Sequence, residues 1–221
     1  MKPLLIVLLL MFGCVGTPAA MGLLASNEIA TAQIYASSNL NVLKTLTTQA
    51  NYAFLGFHST NEISQAALTN PVVVRSMSLG KLRNYHLGDD FASLLDSSVR
   101  LIFPIMVKTN VRSSLGFRLD AAKSFFSDAK FGQRKLIREL MTTYQSIPPA
   151  QIMSGDAPLA VEIPVFDIWL TGYVNAQNRL VLLATVDLPL GPITINRGQP
   201  LTEAAMLRLA TVAQRYNGLP N

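Results

Sequence analysis

The chain has 221 residues, 50% hydrophobic and 14% charged, with mean hydropathy +0.33, and 18 Lys and Arg against 13 Asp and Glu leave a formal charge of +5. Low charge and high apolar content exclude an intrinsically disordered chain, and a single cysteine excludes an internal disulfide and a thiolate zinc site. The fold must therefore rest on one packed core, within reach of a chain this long.

Lys2 is the only charge before Glu28, and residues 4–25 between them are apolar or small, opening LLIVLLLMFGCVG. A positive start, a leucine-rich run and small residues behind it predict an export segment. Residues 1–32 are therefore set apart as a signal peptide or an N-terminal lipid or membrane anchor, and 33–221 as one domain. Three endings stay open. Ala30-Thr31-Ala32 before Gln33 fits the small-x-small pattern of signal-peptidase cleavage. Met11-Phe12-Gly13-Cys14 resembles the bacterial lipobox, in which a small residue precedes a cysteine that becomes acylated. That resemblance implies a lipoprotein tethered through Cys14, and it accounts for the only cysteine standing here. Left uncleaved, residues 4–25 are long enough to span roughly 30 Å of hydrocarbon. Each ending puts the rest of the chain outside the cytoplasm, periplasmic, attached to the envelope or secreted.

Beyond the leader, Leu40, Leu43, Leu46, Ala50, Phe54 and Phe57 recur every three or four residues and predict a helix with Asn39 as N-cap. Its other face is Thr, Gln and Asn, polar but uncharged, which suits partial burial under another layer, contact with a partner or a plain solvated side. After Asn70-Pro71, residues 72–79 read as a strand with Val73, Met77 and Leu79 on one side. Asp89 and Asp90 open a short helix, where the dipole favours carboxylates.

Leu101, Phe103, Ile105 and Val107 alternate, Thr109-Asn110 turns, and Val111, Leu115, Phe117 and Leu119 alternate back, a hairpin with Arg112, Ser114 and Arg118 facing out. Residues 133–145 form an amphipathic helix, apolar at Leu136, Ile137, Leu140, Met141 and Tyr144, stopped by Pro148-Pro149. Residues 154–158 read as a loop. Residues 161–174, turned into 179–187, make a second long hairpin with Pro164 at an edge or bulge and the only tryptophan, Trp169. A last helix runs from Thr202 as N-cap through Met206, Leu209, Ala210 and Ala213 to Gly218 and Pro220.

The order predicts an α+β fold, a mainly antiparallel sheet built from two long hairpins with about four helices packed on it. Phe103-Pro104-Ile105 and Ile163-Pro164-Val165 hint weakly at two duplicated halves.

Chemistry is sparse. The exported part has no cysteine nucleophile, no G-x-S-x-G elbow and no phosphate loop. His58 with Glu62, and His86 with Asp89, stand at spacings that converge on a metal when helical, yet a helix end or a surface accounts for both. No cofactor is expected. Asp167 and Asp187, on neighbouring strands, would perturb each other only if both pointed inward. Lys123, Lys130, Arg134, Lys135 and Arg138 gather basic charge among Phe125, Phe126 and Phe131. Lys130, Arg134, Lys135 and Arg138 are the candidate anionic-surface site. The expected function is a non-enzymatic binding or accessory domain for an envelope partner or anionic surface ligand, with export disfavouring nucleic acid. The alternatives are a hydrolase using carboxylates or a His-anchored metal, and a structural subunit of an export or surface assembly.

Overall fold

The computed structural model describes residues 26–120, 125–151 and 158–216. The leader with Cys14, Lys123, most of the 154–158 loop, and Gly218 with Pro220 lie outside the described residues. One α+β domain is formed, with five α-helices and a large, mostly antiparallel sheet among the described residues.

The helices are α1 (Ser26–Leu46), α2 (Thr60–Ser64), α3 (Leu79–Arg83), α4 (Arg134–Gln145) and α5 (Glu203–Arg215). The strands are β1 (Ala67–Leu68), β2 (Val72–Met77), β3 (Leu95–Val107), β4 (Asn110–Asp120), β5 (Phe125–Phe131), β6 (Leu159–Ile163), β7 (Ile168–Val174), β8 (Leu180–Ala184), β9 (Leu188–Leu190) and β10 (Ile193–Ile195). The sheet runs β5-β4-β3-β2-β6-β7-β8, with β1 also on β3 and with β9 and β10 paired separately.

The sheet is buried on two faces, which explains the three consecutive buried valines, Val72, Val73 and Val74, that open β2. Val73 and Met77 face the main core with α1, α3 and α5, where Leu82, Met206 and Leu209 are buried. Val72 and Val74 face the other way, into a smaller cluster closed by Ile137 and Leu140 of α4. Along β3, Leu101, Phe103, Ile105 and Val107 all enter the main core, as alternation requires.

Several expectations are corrected. α1 begins far ahead of Asn39, whose side-chain amide donates to the Tyr35 carbonyl at 3.0 Å within the helix. The buried face is Ala32, Ala36, Leu40 and Leu43, whereas Ile34, Val42, Leu46 and Phe54 are exposed. The helix stops at Leu46 because Asn51 takes over its end: its amide donates to the Leu46 carbonyl at 3.0 Å and its oxygen accepts from the Thr48 N–H at 2.7 Å. Leu79 opens α3 instead of closing a strand, since the Ser78 hydroxyl accepts from the Lys81 N–H as an N-cap.

The 161–174 segment is two strands. Pro164 starts a 3-10 turn that ends at Asp167 in the left-handed region, so β6 and β7 fold back with Ile163 opposite Ile168. Pro164 therefore sits in a turn, and β6 lies centrally, parallel to β2 and antiparallel to β7. The first turn falls on Lys108 and Thr109, because Val107 pairs with Asn110. Among the described residues no helix is long and apolar enough to cross a membrane.

Candidate functional site

The amphipathic pattern of α4 buries Ile137, Leu140 and Thr143 against the sheet and leaves the remaining face to charge. Gly132, at φ +120°, and Gln133, at φ +59°, swing the chain out of β5 into the helix, and only glycine adopts the first of these without strain. Gln133 makes no side-chain cap bond. Arg134 and Lys135 follow at once, two cations at the positive end of the helix dipole, where an anion is the favoured neighbour.

Arg134, Lys135, Arg138, Glu139 and Thr142 wall a cleft of about 540 Å³, and Arg197 closes it from the loop between β10 and α5. Arg197 is held by its backbone: its N–H donates to the Asp187 carboxylate at 2.8 Å, and the next N–H, of Gly198, donates to the Ala184 carbonyl at 2.8 Å. The loop thus lines the outer edge of β8, where Leu183 also bridges to Pro200. Among the described residues four cations face one carboxylate, and that carboxylate, Glu139, meets Lys135 at 4.0 Å. An ion pair whose lysine is 92% exposed neutralises little. The Arg134 Nε is buried without a hydrogen-bond partner among the described residues, a donor left to be satisfied.

Three of the four predicted cations therefore converge. Lys130 does not wall the cleft; it is exposed on β5, opposite Gly116. Arg197 was missed, being the only basic residue between Arg179 and Arg208 and so part of no local cluster.

His58 and Glu62 do approach, at 3.9 Å, but a guanidinium occupies the carboxylate: Arg112 donates to Glu62 at 2.8 Å and reaches the His58 Nε2 at 3.3 Å. Arg112 arrives there through a β-bulge. Ile105 pairs with Ser113 and Met106 with Val111, leaving Arg112 as the extra residue, so its side chain is re-aimed and Val111 is shifted to the α4 side of the sheet. The other Glu62 oxygen accepts the His58 backbone N–H at 2.7 Å.

His86 and Asp89 stand 3.8 Å apart on the surface, with Asp89 accepting the His86 backbone N–H at 2.8 Å and Asp90 capping the 3-10 turn at Phe91 through the Ala92 N–H. Asp167 and Asp187 are both exposed and do not point inward together. Among the described residues no three His, Cys, Asp or Glu gather as a metal site would require.

Glu62 carries a pH prediction. The His58 backbone hydrogen bond, with the Arg112 hydrogen bond and charge adding to it, outweighs burial and holds the Glu62 carboxyl below its ordinary 4.5. A carboxyl with a depressed folded pKa stabilises the fold above its unfolded value, and the contribution is lost as pH falls through the folded value. Urea midpoints of wild type should therefore drop between neutral pH and pH values below 4.5. Glu62→Gln should start lower at neutral pH and drop less. Parallel curves for the two proteins would remove Glu62 from the acid response.

The fold and this site define a class in chemical terms: a single α+β domain with a cationic cleft between a surface helix and the edge of its sheet. Comparison with family models, with curated proteins and with solved structures found no match.

Proposed function

We propose that the chain is an exported cell-envelope protein whose domain holds an acidic partner in the α4 cleft without catalysing a reaction. The observation that carries the reading is the convergence of Arg134, Lys135 and Arg138 with Arg197, brought from a separate loop and fixed by backbone bonds. Cations placed on secured backbone are pre-organised for an anion, whereas a solvated face needs no such convergence.

Export rests on Lys2 and the apolar run at 4–25. Tethering through Cys14 agrees with α1: its core contacts start by Ala32, which is fully buried, and lipidation keeps that residue. Processing after Ala32 would delete it together with the first turns of the helix.

Binding of a fluorescent Glu-rich peptide at low salt tests the cleft. Replacing Arg134, Arg138 and Arg197 together by Gln should weaken binding by about a hundredfold, at roughly 1 kcal/mol or somewhat less per charge-assisted contact. Lys130→Gln should leave binding unchanged. A triple variant that binds like wild type overturns the reading. The tether is tested by the mass of the N-terminal peptide from membrane and soluble fractions: an acylated Cys14 supports it, and a mature start at Gln33 rejects it.

A further inference from the structure

A second cavity, of about 390 Å³, opens beside the cationic cleft, and Lys135 and Glu139 are walls of both. Its remaining lining includes Leu136 of α4, Ile168 and Trp169 of β7, and Val186 and Leu188 after β8. The two cavities therefore meet across the Lys135–Glu139 pair, cationic at one end and apolar at the other.

Trp169 is the fixed element of the apolar end. It stands opposite Glu162 on β6 and packs against the cluster beneath α4. Arg100, ion-paired with that Glu162, lies over the indole at 5.6 Å from the ring centre. The Thr185 hydroxyl donates to the Trp169 carbonyl at 2.6 Å. The indole is half-buried, so its ring is held from below while part of it lines the cavity. An aromatic anchor immobilised before binding loses little entropy when a partner arrives.

Resting on the cationic-cleft reading, we infer that the two cavities form one groove for an acidic peptide segment of a protein partner. Its carboxylates meet Arg134, Arg138 and Arg197, and a neighbouring apolar side chain is seated beside Trp169. Charge distribution selects this occupant. Among the described residues the apolar end carries Asp167 and Glu139 against Lys135, so a uniformly charged polyanion is repelled there. Asp167, Gln133 and Thr185 also line it, which makes it unlike the dry slot an acyl chain requires.

Two labelled peptides test the groove, one of Glu and Gly only and one with a single Leu inserted beside the Glu run, with vesicles of anionic phospholipid as a third probe. The Leu peptide should bind about tenfold more tightly, the factor that burial of one apolar side chain readily supplies. It should also shift the emission of Trp169, the only tryptophan in the chain, whereas the Leu-free peptide should not. Val186→Asp, at a position already exposed, and Trp169→Ala should each abolish the preference for Leu while leaving the Leu-free peptide bound. Equal affinity for both peptides with silent emission overturns the groove and leaves the cationic cleft standing. Failure of both peptides to bind overturns the cleft reading itself. Emission shifted by vesicles and by neither peptide assigns the apolar end to lipid and overturns the peptide proposal.

Discussion

Replacing Gly56 by alanine is expected to lower the stability of the domain by about 3 kcal/mol or more, with a fall in Tm of about 6–12 °C for a chain of this size. Gly56 sits at φ +92°, and a Cβ built there would lie 2.2 Å from the Arg112 carbonyl oxygen. That oxygen belongs to the bulged residue of β4, whose side chain is tied to Glu62 and His58 and whose Nε is buried without a hydrogen-bond partner among the described residues. Neither side of the contact can yield cheaply: the loop would have to leave the sheet, or the bulge would have to move and break the Arg112–Glu62 pair. Gly88→Ala is the control, since Gly88 has nearly the same φ, +95°, with no described residue within 4 Å of a Cβ placed there. It should show the conformational cost alone, about 1 kcal/mol. Urea unfolding of both variants separates backbone conformation from collision. Equal losses would mean that the approach of Gly56 to Arg112 does not constrain the fold.

Truncating Phe117 to alanine is expected to cost about 3–5 kcal/mol. The ring is buried on β4 between two others: Tyr35 of α1 at 4.8 Å and 62°, and Phe103 of β3 at 6.2 Å and 66°, both edge-to-face. Such pairs add stabilisation beyond the area they bury. Because the Tyr35 contact joins helix to sheet, the loss should be uneven. Hydrogen exchange should quicken in α1 more than in β3, whose backbone is paired on both sides. Phe117→Leu, which keeps most of the volume, should cost about 1.5 kcal/mol or less. A Phe117→Ala protein with unchanged protection in α1 would show that the helix is held by Ala32, Ala36, Leu40 and Leu43 without the aromatic bridge.

What could be read from the chain beforehand follows the range of the forces involved. The alternation of Leu101, Phe103, Ile105 and Val107, the burial of Ile137 and Leu140, and the capping of α5 by Thr202, whose hydroxyl accepts the Ala205 N–H at 3.2 Å, all appear where local pattern places them. Each depends on residues only a few positions apart. The misplaced start of the first helix has an equally local cause. Ala32 and Ala36 are buried on α1, but Ala32 reads as the end of the Ala30-Thr31-Ala32 cleavage pattern, and Ala36 is too small to stand out before the apolar period that starts at Leu40. At the site, Arg134, Lys135 and Arg138 were visible because one helix displays them at successive turns. The roles of Arg112 and Arg197 were hidden, because a bulge and a loop aim them, and neither is written in the periodicity of its neighbours.

The α+β class, the strand alternation, the Thr202 cap of the last helix and a basic helix face were legible along the chain, since short-range sterics, hydrogen bonding and hydrophobic period act within a few residues. Packing between distant segments set the rest: β6 enters the sheet parallel to β2, Arg112 pairs with Glu62, and Arg197 completes the cationic cleft beside Trp169. Those outcomes depend on which distant segments are brought together when two sheet faces are buried at once. That choice is made by the packing of the whole core and not by any one stretch of it.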